Sequence, residues 1–150
     1  MTQFDIAVRL LLATGLGAVI GIERELHQKP AGLRTNILIA FGAALFTMVS
    51  IVLAGPGGVP DRLAGNVVVG VGFLGGGALM RSGKNIHGMT TAATIWVNAA
   101  IGMAAGAGAF AMASIATAIT LVVLAVLPAI EQYAERRAGI IAPPGNHRDR

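Results

Sequence analysis

The sequence predicts an all-α fold, a polytopic transmembrane helical bundle of five spans with the N-terminus outside and the C-terminus inside. Three observations predict it. The chain has 150 residues, and 46 of them, between Lys84 and Glu131, run without an Asp, Glu, Lys or Arg. Two further charge-free stretches, Thr35 to Pro60 and Leu63 to Met80, precede that one. The hydrophobic fraction is 55% and the charged fraction 12%, against roughly 25% charged in an ordinary globular domain. A soluble chain of this size has too little interior to hide so much apolar sequence, so the medium around most of it is hydrocarbon.

About 20 apolar residues cross a bilayer as a helix, because only a helix satisfies its own backbone hydrogen bonds in lipid. That length places the spans near residues 5–22, 36–54, 64–80, 90–107 and 110–129. The last two divide the long uncharged stretch, which as one helix would reach about 70 Å, more than twice the hydrocarbon thickness. The reversal between them falls near Gly106, Ala107 and Gly108, where glycine permits a tight turn. The first span carries Asp5 and Arg9, lacks a basic leader and is followed by more spans, so it reads as a retained helix.

The basic residues then fix the orientation. Arg24, Lys29 and Arg34 follow span one, Arg81 and Lys84 follow span three, and Arg136, Arg137, Arg148 and Arg150 follow span five. With five spans these share one face, leaving Arg9 and Arg62 toward the other, as a cytoplasmic excess of Lys and Arg requires. A four-span reading separates the basic tail from the basic loops. The domain is residues 1–133, and residues 134–150, too polar and too broken by Pro143, Pro144 and Gly145 to pack, read as a flexible basic cytoplasmic tail.

Glycine organises the interior. Of the 21 glycines, Gly17 and Gly21, Gly72 and Gly76, and Gly102 and Gly106 form pairs four apart, each on one helix face. Small residues let helix backbones approach closely in lipid, so these six predict a bundle centred on spans one, three and four. The Leu/Val-rich stretch Leu121 to Leu124 of span five then faces lipid.

Polar residues inside or beside the spans are the functional candidates. Glu23, Arg24 and Glu25 close span one, and Arg34, Thr35 and Asn36 open span two. A charge at membrane depth needs a partner or a route to water, so Glu23 and Arg34 either pair, with each other or with Arg81, or snorkel to the interface. Thr35 or Asn36 is expected to cap span two, and Thr90 or Thr91 to cap span four. The polar segment from Arg81 to Thr91 is a connector, or its helix amino end beside Arg81 and Lys84 holds an anion or lipid head group. Thr94 and Asn98 share one face of span four, and Trp96 lies in the same span a turn and a half inside the cytoplasmic boundary. The Asn98 amide either bonds a neighbouring helix or lines a hydrated path. Arg9 snorkels outward or pairs with Asp5.

Several function classes fall away. No cysteine is present, so thiolate metal sites and disulfides are excluded. Scattered carboxylates with basic neighbours give no metal site, and no catalytic triad or paired acids point to an enzyme. The run Gly70-Val71-Gly72-Phe73-Leu74-Gly75 fits a dinucleotide-binding pattern, but the acidic residue that should follow about 20 positions later is missing. No cofactor is expected. The net charge of +4 comes from short groups between apolar runs, not from one patch, and does not imply nucleic acid.

Four blocks in order carry a resemblance: Gly21 to Glu25, Ala31 to Asn36, Gly70 to Gly77 and Gly88 to Gly102. In them the chain resembles the MgtC/SapB family of bacterial inner-membrane proteins, in the short SapB-like form without the ACT-like domain that longer members carry after span five. The resemblance implies a role in ion or proton homeostasis under magnesium limitation or acid stress, exercised on a membrane-protein partner such as the ATP synthase, with homo-oligomerisation a further implied arrangement. Virulence-associated members often have Asn where this chain has Thr90 and Cys where it has Val97, so the resemblance does not extend to that role. Two other readings stand beside it: a transporter or channel for magnesium or another cation, lined by Glu23, Arg34, Thr94 and Asn98, and a structural bundle supporting a membrane complex.

Overall fold

A computed structural model describes residues 1–59, 61–82 and 85–137. Five helices account for nearly all of them: α1 (Gln3–Leu26), α2 (Leu33–Ala54), α3 (Asp61–Gly77), α4 (Met89–Gly106) and α5 (Phe110–Arg137). Between α3 and α4 the chain forms a small antiparallel hairpin, β1 (Met80–Ser82) with β2 (Asn85–His87), in which Arg81 faces Ile86. This is a departure from a purely helical reading, in a segment expected to be a plain connector. The helix α5 continues to Arg137, past the expected start of the tail at 134, and the remainder of that tail lies outside the described residues.

Local signals set the helix boundaries. At the start of α1 the Thr2 hydroxyl accepts from the Asp5 N–H at 3.1 Å while Asp5 Oδ2 accepts from the Thr2 N–H at 2.9 Å, a reciprocal cap that satisfies otherwise orphaned donors. The far end of α1 closes with Gln28 in the left-handed region (φ 51°) and the Lys29 N–H on the Arg24 carbonyl at 2.9 Å. Gly108, at φ 83°, makes the turn from α4 to α5, in the three-residue stretch where the sequence places it.

The core is a seam between α2 and α4. Asn98 bonds Asn36, a Cβ on Gly102 would stand 2.8 Å from Ala40 Cα, and a Cβ on Gly106 would stand 2.8 Å from Ala44 Cα. The partners advance together in steps of four, so the two helices run parallel with their backbones in contact at every turn of the seam. Helix α1 runs antiparallel against the same stretch of α2. A Cβ on Gly17 would meet the Asn36 carbonyl oxygen at 2.7 Å, and one on Gly21 would meet Leu33 Cα at 2.7 Å. Two apolar clusters flank this contact. One joins Ala13 and Ile20 of α1 to Ala44, Ile101, Ala105 and, on α5, Ala113 and Leu124. The other joins Ala43 to Val67 and Val71 of α3 and Ile95 and Ala99 of α4.

The bundle is therefore centred on α1, α2 and α4, not on α1, α3 and α4. Helix α3 packs outside, and its expected contact pair is open: nothing lies within 4 Å of a Cβ on Gly72 or Gly76. Gly75 makes the approach instead: a Cβ there would stand 3.3 Å from the Ala92 carbonyl oxygen. The spacing rule finds faces but not which face is turned inward. On α5 the expected outward stretch is split, with Val122 and Val123 exposed and Leu124 buried against the core.

Among the described residues three helices are long and apolar enough to cross a membrane: α1, α2 and the stretch from Phe110 to Ala134 of α5. Helix α4 has 18 residues and buries Thr91, Thr94 and Asn98. Its neighbours are mostly other helices, which accept polar side chains where lipid does not. Helix α3 contributes a shorter apolar stretch, Ala64–Gly77.

The seam makes a specific prediction for thermal unfolding in detergent. Gly102→Ala or Gly106→Ala forces a Cβ into the α2 backbone and is expected to cost about 1–3 kcal/mol, whereas Gly72→Ala meets open space and leaves the midpoint essentially unchanged.

Candidate functional site

Helix ends gather the polar residues into one cleft. It has a volume of about 850 Å³ and is walled by Glu23 and Arg24 from α1, His27 and Lys29 from the following loop, His87 to Thr91 at the start of α4, and Val123, Leu124, Leu127 and Glu131 among others of α5. The end of α1, the hairpin and the end of α5 thus meet at one end of the bundle, which we call the basic end. At the opposite end the Arg9 guanidinium donates to the Gly106 carbonyl at 2.7 Å. Arg9 neither snorkels free nor pairs with Asp5, which is engaged with Thr2. It sits at the carboxyl end of α4, where the helix dipole and unpaired carbonyls favour a cation.

Arg24 is the most unusual side chain in the cleft. It continues the inward face of α1 after Gly17, Ile20 and Gly21, and is only 3% exposed. Its Nη2 donates to Thr91 Oγ1 at 2.7 Å. Its Nε meets no acceptor, and no carboxylate among the described residues lies within ion-pair distance of it. Glu23, next along the helix, points elsewhere, because adjacent helical residues do not share a face. One Glu23 oxygen lies 3.1 Å from His27 Nδ1, and the other is buried without a partner. The expected pairing of Glu23 with Arg34 is not formed. Arg34 is exposed on the other side of α2, where with Thr35 it lines an apolar groove between α2 and α3. The side chains of Arg81 and Lys84 lie outside the described residues.

The helix starts are built differently from the expectation. Gly88, at φ 91°, occupies the cap position of α4, and neither Thr90 nor Thr91 caps it. A Cβ there would run into the Ala78 carbonyl oxygen, so glycine is required both by the turn and by the close passage of the end of α3. Gly32 occupies the cap position of α2. Glu25, near the end of α1, accepts from the Leu33 N–H at 3.1 Å and so takes over the capping. Asn36 acts in the reverse sense: its Nδ2 donates to the Ala31 and Gly32 carbonyls and holds Ala31 in the left-handed region, φ 56°. The signal for Glu25 was its place one turn from a loop too short to supply another acceptor.

The centre of the bundle holds the second polar group. Asn98 Nδ2 donates to the Asn36 backbone carbonyl at 2.7 Å and to Asn36 Oδ1 at 3.1 Å, with both residues fully buried. Asn98 Oδ1 meets no donor. The Thr94 hydroxyl is spent on the Thr90 carbonyl of its own helix, at 2.7 Å. Trp96 lies on the opposite, outward face, 48% exposed. Of the candidates from sequence, the structure brings Glu23, Arg24, Thr90 and Thr91 together at the basic end and Asn36, Thr94 and Asn98 at the seam. Arg34, Thr35 and Trp96 stand apart. No group of three His, Cys, Asp or Glu residues suited to a metal ion occurs among the described residues.

Apolar helices of membrane length, joined through glycine contacts and one buried amide pair, define a small helical membrane protein. A profile of the MgtC family matches residues 10–133, and the chain belongs to that family. It is 47% identical over 121 residues to Protein MgtC of Salmonella typhimurium strain LT2, covering 81% of this chain and 52% of that protein. To Protein MgtC of Brucella abortus strain 2308 it is 43% identical over 123 residues, 82% of this chain and 51% of that protein. The chain spans about half the length of these curated relatives. No solved structure matches it.

The amide pair predicts a measurable penalty. Asn98→Leu removes both bonds to Asn36 and is expected to lower stability in detergent by about 1–2 kcal/mol. Trp96→Leu, on the outward face of the same helix, is expected to change it far less.

Proposed function

We propose that this protein crosses the bacterial inner membrane five times, with the basic end in the cytoplasm, and tunes ion or proton homeostasis under magnesium limitation or acid stress by binding other membrane proteins. Its membership of the MgtC family supports the setting. One observation carries the mode of action: α3 presents Gly72 and Gly76 with open space before them, beside Phe73 at 84% exposure. The same spacing at Gly102 and Gly106 draws α2 to backbone contact. An equivalent face left uncovered suits a helix from another protein, such as a subunit of the proton-driven ATP synthase, or from a second copy of the chain.

The alternative is conduction of magnesium or another cation. It is favoured by Asn98 Oδ1 and one Glu23 oxygen, which are buried acceptors without donors and suit a hydrated cation. Against it, the Asn98 amide nitrogen and the Thr94 hydroxyl are already engaged.

Two measurements separate these readings. A photo-crosslinking residue at Gly76, in native membranes, is expected to capture a membrane protein that the same residue at Trp96 does not. In proteoliposomes the protein is expected to support no saturable uptake of magnesium or protons. Saturable uptake that Asn98→Leu abolishes, with assembly intact, would establish conduction instead.

A further inference from the structure

We infer that the cleft at the basic end is a binding site for a single phosphate group, carried by a phospholipid head group or by a small soluble phosphate. Two independent features point to it. The first is the amino end of α4, an 18-residue helix whose cap residue, Gly88, supplies no side-chain bond. The first N–H groups of a helix have no acceptor within it, and they concentrate positive potential at that end. The second is Arg24, only 3% exposed, which stands against that helix start through Thr91 and keeps its Nε without an acceptor.

A buried guanidinium without a counter-charge is costly, and the usual remedy is a carboxylate on a neighbouring helix. The Glu23 carboxylate lies near enough for its charge to be felt at Arg24, but among the described residues no carboxylate stands within ion-pair distance of the guanidinium. A tetrahedral oxyanion fits the free helix-end amides together with the guanidinium donors that the bond to Thr91 leaves over, since both kinds of donor bind phosphate oxygens. Lys29 stands on the rim. The carboxylates of Glu23 and Glu131 also line the cleft, and their repulsion restricts the occupant to one phosphate rather than a polyphosphate. The α5 wall, with Val123, Leu124 and Leu127, is apolar, which suits a phosphate joined to a lipid glycerol backbone as well as a free ion beside it.

The test uses the purified chain, freed of lipid in maltoside detergent. Phosphatidylglycerol retention is read by native mass spectrometry, and orthophosphate binding by a radiolabelled scintillation proximity assay. Each is measured on the wild type, on Arg24→Gln and on Arg34→Gln, whose residue lies in a different groove. Loss of one charge-assisted contact is expected to weaken binding roughly tenfold or more in Arg24→Gln and not in Arg34→Gln. Selective retention of phosphatidylglycerol identifies the lipid as the source, and saturable orthophosphate binding identifies the free ion. If neither ligand distinguishes wild type from a folded Arg24→Gln, the inference fails. Should Arg24→Gln not fold, hydrogen exchange on the wild type decides: either ligand is expected to slow exchange at the Thr90 and Thr91 amides, and unchanged exchange with both would refute the site.

Discussion

Everything in this bundle depends on the direct contact of the α2 and α4 backbones. Lipid offers no hydrophobic drive to press helices together, so association rests on van der Waals packing and on the few polar bonds that close contact permits. Gly102 and Gly106 bring α4 to van der Waals distance of Ala40 and Ala44. That approach sets Asn98 within 2.7 Å of the Asn36 carbonyl. The same residue, Asn36, then holds the α1–α2 loop through Ala31 and Gly32, and Gly17 lays α1 across its backbone. One asparagine thus links the seam, the loop and the first helix.

From this contact the two ends of the molecule follow. With α2 and α4 parallel and α1 antiparallel to both, the start of α1 meets the end of α4, and Arg9 reaches the Gly106 carbonyl. At the other end the close of α1 meets the start of α4, and Arg24 reaches Thr91. Two arginines on one helix are each placed against α4, one at its negative end and one at its positive end. The first arrangement is electrostatically favourable. The second opposes like potentials, which marks the basic end as the place where an anion would bring relief.

The sequence exposed the number and order of the helices, because long uncharged stretches in so short a chain leave little freedom. It exposed the Gly106–Gly108 turn, and the glycine spacing on α1 and α4, for the same reason. The identity of the central helices was not legible. Gly72 and Gly76 have the same spacing as Gly102 and Gly106, and only the small residues that face them, Ala40 and Ala44 on α2, decide which pair is packed. Capping was misread in a similar way. Thr90 and Thr91 are good capping residues, but Gly88 at positive φ starts α4 earlier, and the acceptor for α2 comes from Glu25 on another helix. Such choices rest on contacts between elements, which local pattern does not contain.

The most direct test of this account is a through-space distance across the seam. Solid-state NMR on the protein in lipid bilayers, with the Asn98 side-chain nitrogen and the Asn36 carbonyl carbon labelled, is expected to show a strong dipolar correlation, as the 2.7 Å nitrogen-to-oxygen contact requires. Its absence, with the Asn98 amide correlated only to its own helix or to water, would contradict the parallel α2–α4 contact on which the architecture is built.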